Sequence, residues 1–237
     1  MRYIYFLFII IVLVACSTQP SSPDIDPTFP PAPTQTEMPS YRYLALGDSY
    51  TIGESVSAKD RWSVQLKDML EKDGIQIDVT IIARTGWTVD ELWQGIEANP
   101  PLSTYDMVTL LIGVNDQYRG SPVSSYREDF RFMLGKAIQY AGGDPDKVIV
   151  LSIPDWGFTP FAAHRDTTLI SQQIDEFNAV NLEETKAAGA RYVDVTVISR
   201  MALDDFELIA GDRLHPSGKM YTMWAEKVLP IALEILQ

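Results

Sequence analysis

From Tyr41 onward, short apolar runs rich in β-branched residues alternate with amphipathic stretches. The runs fall at Tyr43–Leu46, Val79–Ala83, Met107–Ile112, Val148–Ile153 and Tyr192–Val197. They are continuously rather than alternately hydrophobic, the pattern of strands covered on both faces. Between them, Trp62, Leu66, Met69 and Leu70 form a stripe at helical spacing, with Gly74 placed to cap it. Thr88 and Glu91 spell a capping box at the head of a second helix. Tyr126, Phe130, Met133, Leu134, Ala137 and Ile138 predict a third, closed by Gly142-Gly143, and Ile170, Ile174 and Phe177 open a fourth. Trp224, Val228, Ile231 and Ile235 predict a last helix, with Pro216 at its first position and Pro230 as a kink. Five strands alternating with helices predict an α/β fold, a three-layer α/β/α sandwich around a central five-stranded parallel sheet.

Ligands of such sheets bind beyond the carboxyl ends of the strands. The chemistry-bearing residues gather at that edge. Ser49 follows the first run, Gly86 the second and Asn115 the third; Asp155 and Trp156 follow the fourth, and Asp212 and His215 come after the fifth. A serine hydroxyl is a poor nucleophile alone and needs a base and oxyanion donors. His164 and His215 are the two histidines of the chain. Pro216 keeps His215 out of helical conformation, and Asp212, three residues back, can orient the ring and stabilise its protonated form. The Asn115 amide and the backbone N–H of Gly86 and Ser49 suit a three-donor oxyanion hole. Taken singly, Gly86 and Asn115 are ordinary turn residues; their shared edge gives them meaning. Asp48, Asp106, Asp116 and Asp155 read as turn or capping residues without the spacing of a ligand cluster, so no metal is assigned.

The first forty residues read differently. Arg2 is followed by an apolar run from Ile4 to Ala15. It is shorter than the about 20 residues a bilayer crossing needs and suits the core of an export signal. It ends in Leu13-Val14-Ala15-Cys16, which resembles the bacterial lipoprotein cleavage box; the resemblance implies removal of residues 1–15 and lipid attachment at Cys16. An ordinary export signal with a chance cysteine is the alternative. Residues 16–40 follow, with prolines at 20, 23, 27, 30, 31, 33 and 39, a composition that favours extended chain. At about 3.1 Å per residue this linker reaches at most on the order of 70 Å. The expected organisation is thus a leader, a tether and one domain over residues 41–237, exported and anchored to a bacterial membrane on its periplasmic or outer face.

Composition narrows the partners. The net charge of -13 repels phosphate backbones, so no nucleic acid is expected. Cys16 is the single cysteine, which excludes an internal disulfide and a cysteine-based metal cluster. The domain, at about 200 residues, is long enough for a sizeable core.

Four blocks together make a specific resemblance. Gly47-Asp48-Ser49, Gly86, Gly113-Val114-Asn115-Asp116 and Asp212-Arg213-Leu214-His215 occur in the order of the SGNH (GDSL-type) hydrolase superfamily, and cover Tyr41 to about Ser217. Tyr50 stands where the namesake motif has leucine, a departure that bears on pocket shape. The resemblance implies Ser49 as nucleophile, His215 as base and then acid, and Asp212 as the orienting acid. It implies Ser49 N–H, Gly86 N–H and the Asn115 amide as oxyanion donors, an acyl-enzyme on Ser49, and no cofactor. No Gly-x-Ser-x-Gly elbow occurs, which sets the α/β-hydrolase alternative aside. Tyr50, Trp87, Tyr118, Trp156, Phe158 and Phe161 fall near the same edge as candidate pocket residues, though each also fits as core. The expected substrate is a small-molecule or glycan ester with a short acyl group, such as acetyl on carbohydrate. A lysophospholipase or acyl thioesterase activity is one alternative, and a tethered binding protein without catalysis is another.

Overall fold

Residues 40–101 and 104–237 are described by a computed structural model. The expected leader, Cys16 and all of the linker but Ser40 lie outside the described residues. Five strands form one sheet: β1 (Tyr41–Gly47), β2 (Ile77–Ala83), β3 (Met107–Leu111), β4 (Val148–Leu151) and β5 (Arg191–Val193). Their spatial order is β2-β1-β3-β4-β5, and every neighbouring pair is parallel. Parallel neighbours require crossovers, and each is a helix as the alternation predicts.

The order reverses direction after β2, so right-handed crossovers place helices on both faces. The β1–β2 crossover carries α1 (Ser49–Ile52) and α2 (Trp62–Lys72). The β2–β3 crossover carries α3 (Val89–Ala98). The β3–β4 crossover holds α4 (Val114–Tyr118) and α5 (Val123–Tyr140), and α6 (Thr167–Ala188) joins β4 to β5. After β5 come α7 (Thr196–Ser199) and α8 (Gly218–Leu236). The last helix returns to pack on α2, while α5 packs on α3 and on α6. Trp62, Leu66 and Leu70 of α2 and Tyr126, Phe130 and Met133 of α5 are fully buried against the sheet. Thr88 and Glu91 form the expected reciprocal capping box on α3.

Four expectations need correction. β2 is half-covered rather than buried on both faces, because it lies at the sheet's edge. β5 stops at Val193, whereas the apolar run continues to Val197. The Ser152 hydroxyl accepts the Val195 and Thr196 N–H groups, and Asp194 Oδ1 accepts the Thr196 N–H as well, drawing the chain off the ladder into α7. Pro216 precedes α8 instead of opening it: Ser217 is the N-cap, its Oγ accepting the Met220 N–H. On α8 itself the buried stripe passes through Trp224, Val228, Ala232 and Leu236, leaving Ile231 and Ile235 half-buried.

The sheet's carboxyl edge is level where it matters. Gly47 pairs with Ala83 on one side and Leu111 on the other, so β1, β2 and β3 end side by side. The chain order switches between β1 and β3, which is where a crevice opens in doubly wound sheets.

Candidate active site

Ser49 leaves β1 on a turn that only this local sequence makes easily. A Cβ on Gly47 would lie 2.2 Å from Thr51 Oγ1 and 2.4 Å from the Leu111 carbonyl, so the glycine permits β1 to pass this close to β3. Asp48 then caps α1, its Oδ1 accepting the Tyr50 N–H at 3.0 Å. Ser49 stands at the first position of that one-turn helix, 4% exposed. Its N–H makes no hydrogen bond among the described residues, as expected of a first-turn donor.

Asp48 is unusual for a capping acid because it is fully buried and its Oδ2 has no hydrogen-bond partner among the described residues. Burial pushes its carboxyl up to about 8; the Tyr50 N–H pulls downward and the nearby Asp116 adds to the rise. Asp116 is itself raised to about 7, mainly by burial, while the Val89 N–H that it accepts pulls down. Asp155 accepts the Gly157 N–H and pairs with Arg200, and Asp106 accepts the Arg42 N–H. These acids therefore act as caps and loop ties.

The histidine is held by a short antiparallel clasp. Ala210 N–H donates to the His215 carbonyl and Ser217 N–H to the Leu208 carbonyl, each at 2.8 Å, around an Ile209–Pro216 bridge. Asp212 Oδ2 lies 2.5 Å from His215 Nδ1, while Oδ1 accepts the N–H groups of Leu214 and His215. Burial works to raise the Asp212 carboxyl, but the ring, the two backbone N–H groups and the Ser55 hydroxyl outweigh it and hold it down at about 2. The acid thus stays ionised beside the ring and fixes its Nδ1–H tautomer. Among the described residues, two non-glycine residues, Ser55 (φ 65°) and Arg213 (φ 70°), adopt left-handed backbone, and both adjoin Asp212. Local strain is thus concentrated on the loops that aim this carboxylate.

Asn115 reaches in from the third strand. Its Nδ2 donates to the Trp87 carbonyl at 2.9 Å, which orients the amide and leaves its second N–H for another acceptor. Gly86 has φ 87°, a conformation that favours glycine, and its N–H likewise makes no hydrogen bond among the described residues.

Ser49, Tyr50, Val114, Asn115, Tyr118, Trp156, Phe161, Leu214 and His215 line one cavity of about 230 Å³. Ser49 Oγ and the imidazole share it without a direct hydrogen bond, a looseness common before substrate arrives. Tyr50 packs edge-on against His215, ring centroids 5.5 Å apart, so the residue that stands where the motif has leucine buttresses the imidazole. Trp156 is fixed by its Nε1–H donating to Gln117 Oε1, and Gln117 donates in turn to Gln173. Tyr118 and Phe161 meet Trp156 edge-on, completing an aromatic wall.

Of the expected pocket residues, Tyr50, Tyr118, Trp156 and Phe161 line this cavity, and Trp87 and Phe158 do not. The Trp87 ring lies over Gly95 of α3, where a Cβ would come within 2.1 Å of it. Phe158 lines a second, mainly apolar cavity of about 610 Å³ with Pro160, Leu203 and Phe206. Gly86 does not line the small cavity; its neighbour Trp87 is tied to a residue that does, its carbonyl accepting from Asn115. Val114, Leu214 and Ser55 carried no signal in the sequence, since apolar and turn residues of this kind occur throughout.

Known proteins share this fold. Residues 45–223 match the model of the GDSL-like lipase/acylhydrolase family. No curated protein sequence matches significantly. Among solved structures, TesA superposes with a TM-score of 0.66 at 18% identity, covering 82% of this chain and 99% of that one. Axe2, an acetylxylan esterase from Geobacillus stearothermophilus, gives 0.65 at 19%, covering 83% and 96%. A lipase/acylhydrolase from Enterococcus faecalis gives 0.64 at 23%, covering 83% and 97%. At these identities the superpositions establish the shared fold, and the family model, spanning most of the chain, establishes descent. The chain belongs to the GDSL-like lipase/acylhydrolase family and is an SGNH-type hydrolase of ester bonds.

Proposed function

We propose that the chain hydrolyses carboxylic esters of short acyl groups through an acyl-enzyme on Ser49. The observation that carries this reading is the single small cavity lined by Ser49, Asn115 and His215, with the His215 ring held by Asp212 at 2.5 Å. The Ser49 oxygen attacks the ester carbonyl carbon while His215 Nε2 takes the hydroxyl proton. The carbonyl oxygen becomes an oxyanion facing the Ser49 and Gly86 N–H groups and the free N–H of Asn115. Collapse breaks the bond to the alcohol, which leaves with the proton from His215. Water then repeats the attack on the acyl-enzyme, and Ser49 is restored. Losing one oxyanion donor in such a site costs about 2.7–4 kcal/mol of barrier.

The preference for short acyl groups rests on size. The cavity of about 230 Å³ is walled in part by Trp156, which is pinned through Gln117. Its aromatic lining also suits a sugar ring on the alcohol side, as in an O-acetylated carbohydrate. A second reading draws on the cavity of about 610 Å³ walled by Phe158, Leu203 and Phe206, which favours a long apolar chain, as in a lysophospholipid or acyl thioester. A series of p-nitrophenyl esters from acetate to decanoate separates the two. The first reading expects kcat/KM to fall as the acyl chain lengthens and to vanish in Ser49→Ala. A rise with chain length would replace it with the second.

A further inference from the structure

The loop bearing Gly86 is held from below by one short helix. Asn115, in the first turn of α4, and Arg119, its C-cap, lie one turn apart, and they take successive carbonyls of that loop. Asn115 Nδ2 donates to the Trp87 carbonyl at 2.9 Å, and Arg119 Nη2 donates to the Gly86 carbonyl at 2.6 Å. Asp116, between them, accepts the Val89 N–H at 3.2 Å. The Trp87 N–H closes the turn onto the Arg84 carbonyl, and the Thr85 hydroxyl donates to Glu54. Both carbonyls and the Trp87 N–H are thus engaged, whereas the Gly86 N–H is without a hydrogen bond among the described residues.

The guanidinium is itself fixed. Arg119 Nη1 and Nη2 make a two-pronged contact with Glu91 Oε1 and Oε2 at 3.1 and 3.0 Å. Glu91 is held by the Thr88 N–H at 3.0 Å as the third residue of the α3 capping box. Side chains of the pair are 49% and 37% exposed, a setting in which an ion pair adds little to stability. What this pair does supply is direction, because a forked guanidinium held on one side has little freedom on the other.

We propose that Arg119 is a positioning residue for catalysis: by holding the Gly86–Trp87 peptide through its carbonyl it fixes the Gly86 backbone, and with it the N–H of the preceding peptide that meets the oxyanion, with Glu91 locking the guanidinium. The proposal rests on the oxyanion role given to Gly86 above. Gly86 has no side chain and a backbone free to rotate, so the orientation of its peptides must come from neighbours. The oxyanion exists only after attack, so a misaimed donor slows turnover and leaves substrate binding unchanged.

The test is steady-state hydrolysis of p-nitrophenyl acetate by wild type, Arg119→Gln, Arg119→Lys and Glu91→Gln, with inhibition by phenylboronic acid, which forms a tetrahedral adduct on an active serine. For Arg119→Gln the expected result is a fall in kcat of roughly 10- to 100-fold, the scale of a small misplacement. KM should stay within about twofold, with boronate affinity falling in step with kcat. Arg119→Lys should recover part of the loss, since an ammonium can still reach the Gly86 carbonyl. Glu91→Gln keeps a capping box, because glutamine serves at that position, and should lower kcat to a smaller extent. Unchanged kcat in Arg119→Gln, a loss carried by KM, or a fall in kcat with boronate affinity intact would each overturn the proposal. Wild-type activity that survives Ser49→Ala would instead overturn the reading on which it stands.

Discussion

Between Gly47 and Ser49 stands a carboxyl shut away from water. Asp48 is fully buried, and burial raises it to about 8. In the unfolded chain the same group titrates near ~3.9. Between those two values the folded protein holds a proton that the unfolded chain has released, so stability falls as pH rises across that window and levels off above it. Asp48→Asn removes this dependence while keeping an oxygen for the Tyr50 N–H, since asparagine caps as well as aspartate. The expected outcome is a melting temperature gained at pH 8 relative to pH 5 when the variant is compared with wild type; equal differences at the two pH values would contradict it. At this scale Ser49, Asn115 and His215 were legible in the sequence, because each directly follows a strand or precedes a proline. Ser55 and Arg119 were not. They act on Asp212 and Gly86 across 157 and 33 residues, and no local pattern marks such contacts.

Among the elements, the short helices were hardest to read. α1, α4 and α7 run only four or five residues, too short to show helical periodicity, yet α1 carries Ser49, and α4 carries Asn115 and is capped by Arg119. The three central strands read correctly because burial on both faces leaves an unbroken apolar run. β5 ended early because Ser152 and Asp194 capture its continuing N–H groups, a contact between elements that the apolar run cannot register. The entry to α4 shows how tightly such a helix is set. Gly113 has φ 121°, and a Cβ there would lie 2.3 Å from the Tyr126 hydroxyl, itself 2.6 Å from Asn181 Oδ1 inside the core. Gly113→Ala must therefore strain the backbone and displace α5 or α4, at a cost of roughly 1–3 kcal/mol. Denaturant unfolding should show that loss, and an unchanged midpoint would mean that α4 can shift without penalty.

At the scale of the molecule, the strand order β2-β1-β3-β4-β5 brings the ends of β1 and β3 together at the switch point, and with them residues 49 and 115. For that reason Ser49 and Asn115, far apart in the chain, line one cavity, with His215. The alternation of strands and helices was enough to place them on one edge. The two cavities that the loop after β4 lines were not foreseeable, because their walls combine that loop with segments far along the chain, at Leu203 and Phe206 for one and Leu214 and His215 for the other. Everything proposed about catalysis depends on Ser49 being the atom that attacks. The most direct measurement is reaction of the protein with a fluorophosphonate, followed by peptide mass mapping. The account predicts one adduct, on the peptide bearing Ser49, absent in Ser49→Ala and formed much more slowly in His215→Ala. An adduct on another residue, or labelling that persists in Ser49→Ala, would contradict it.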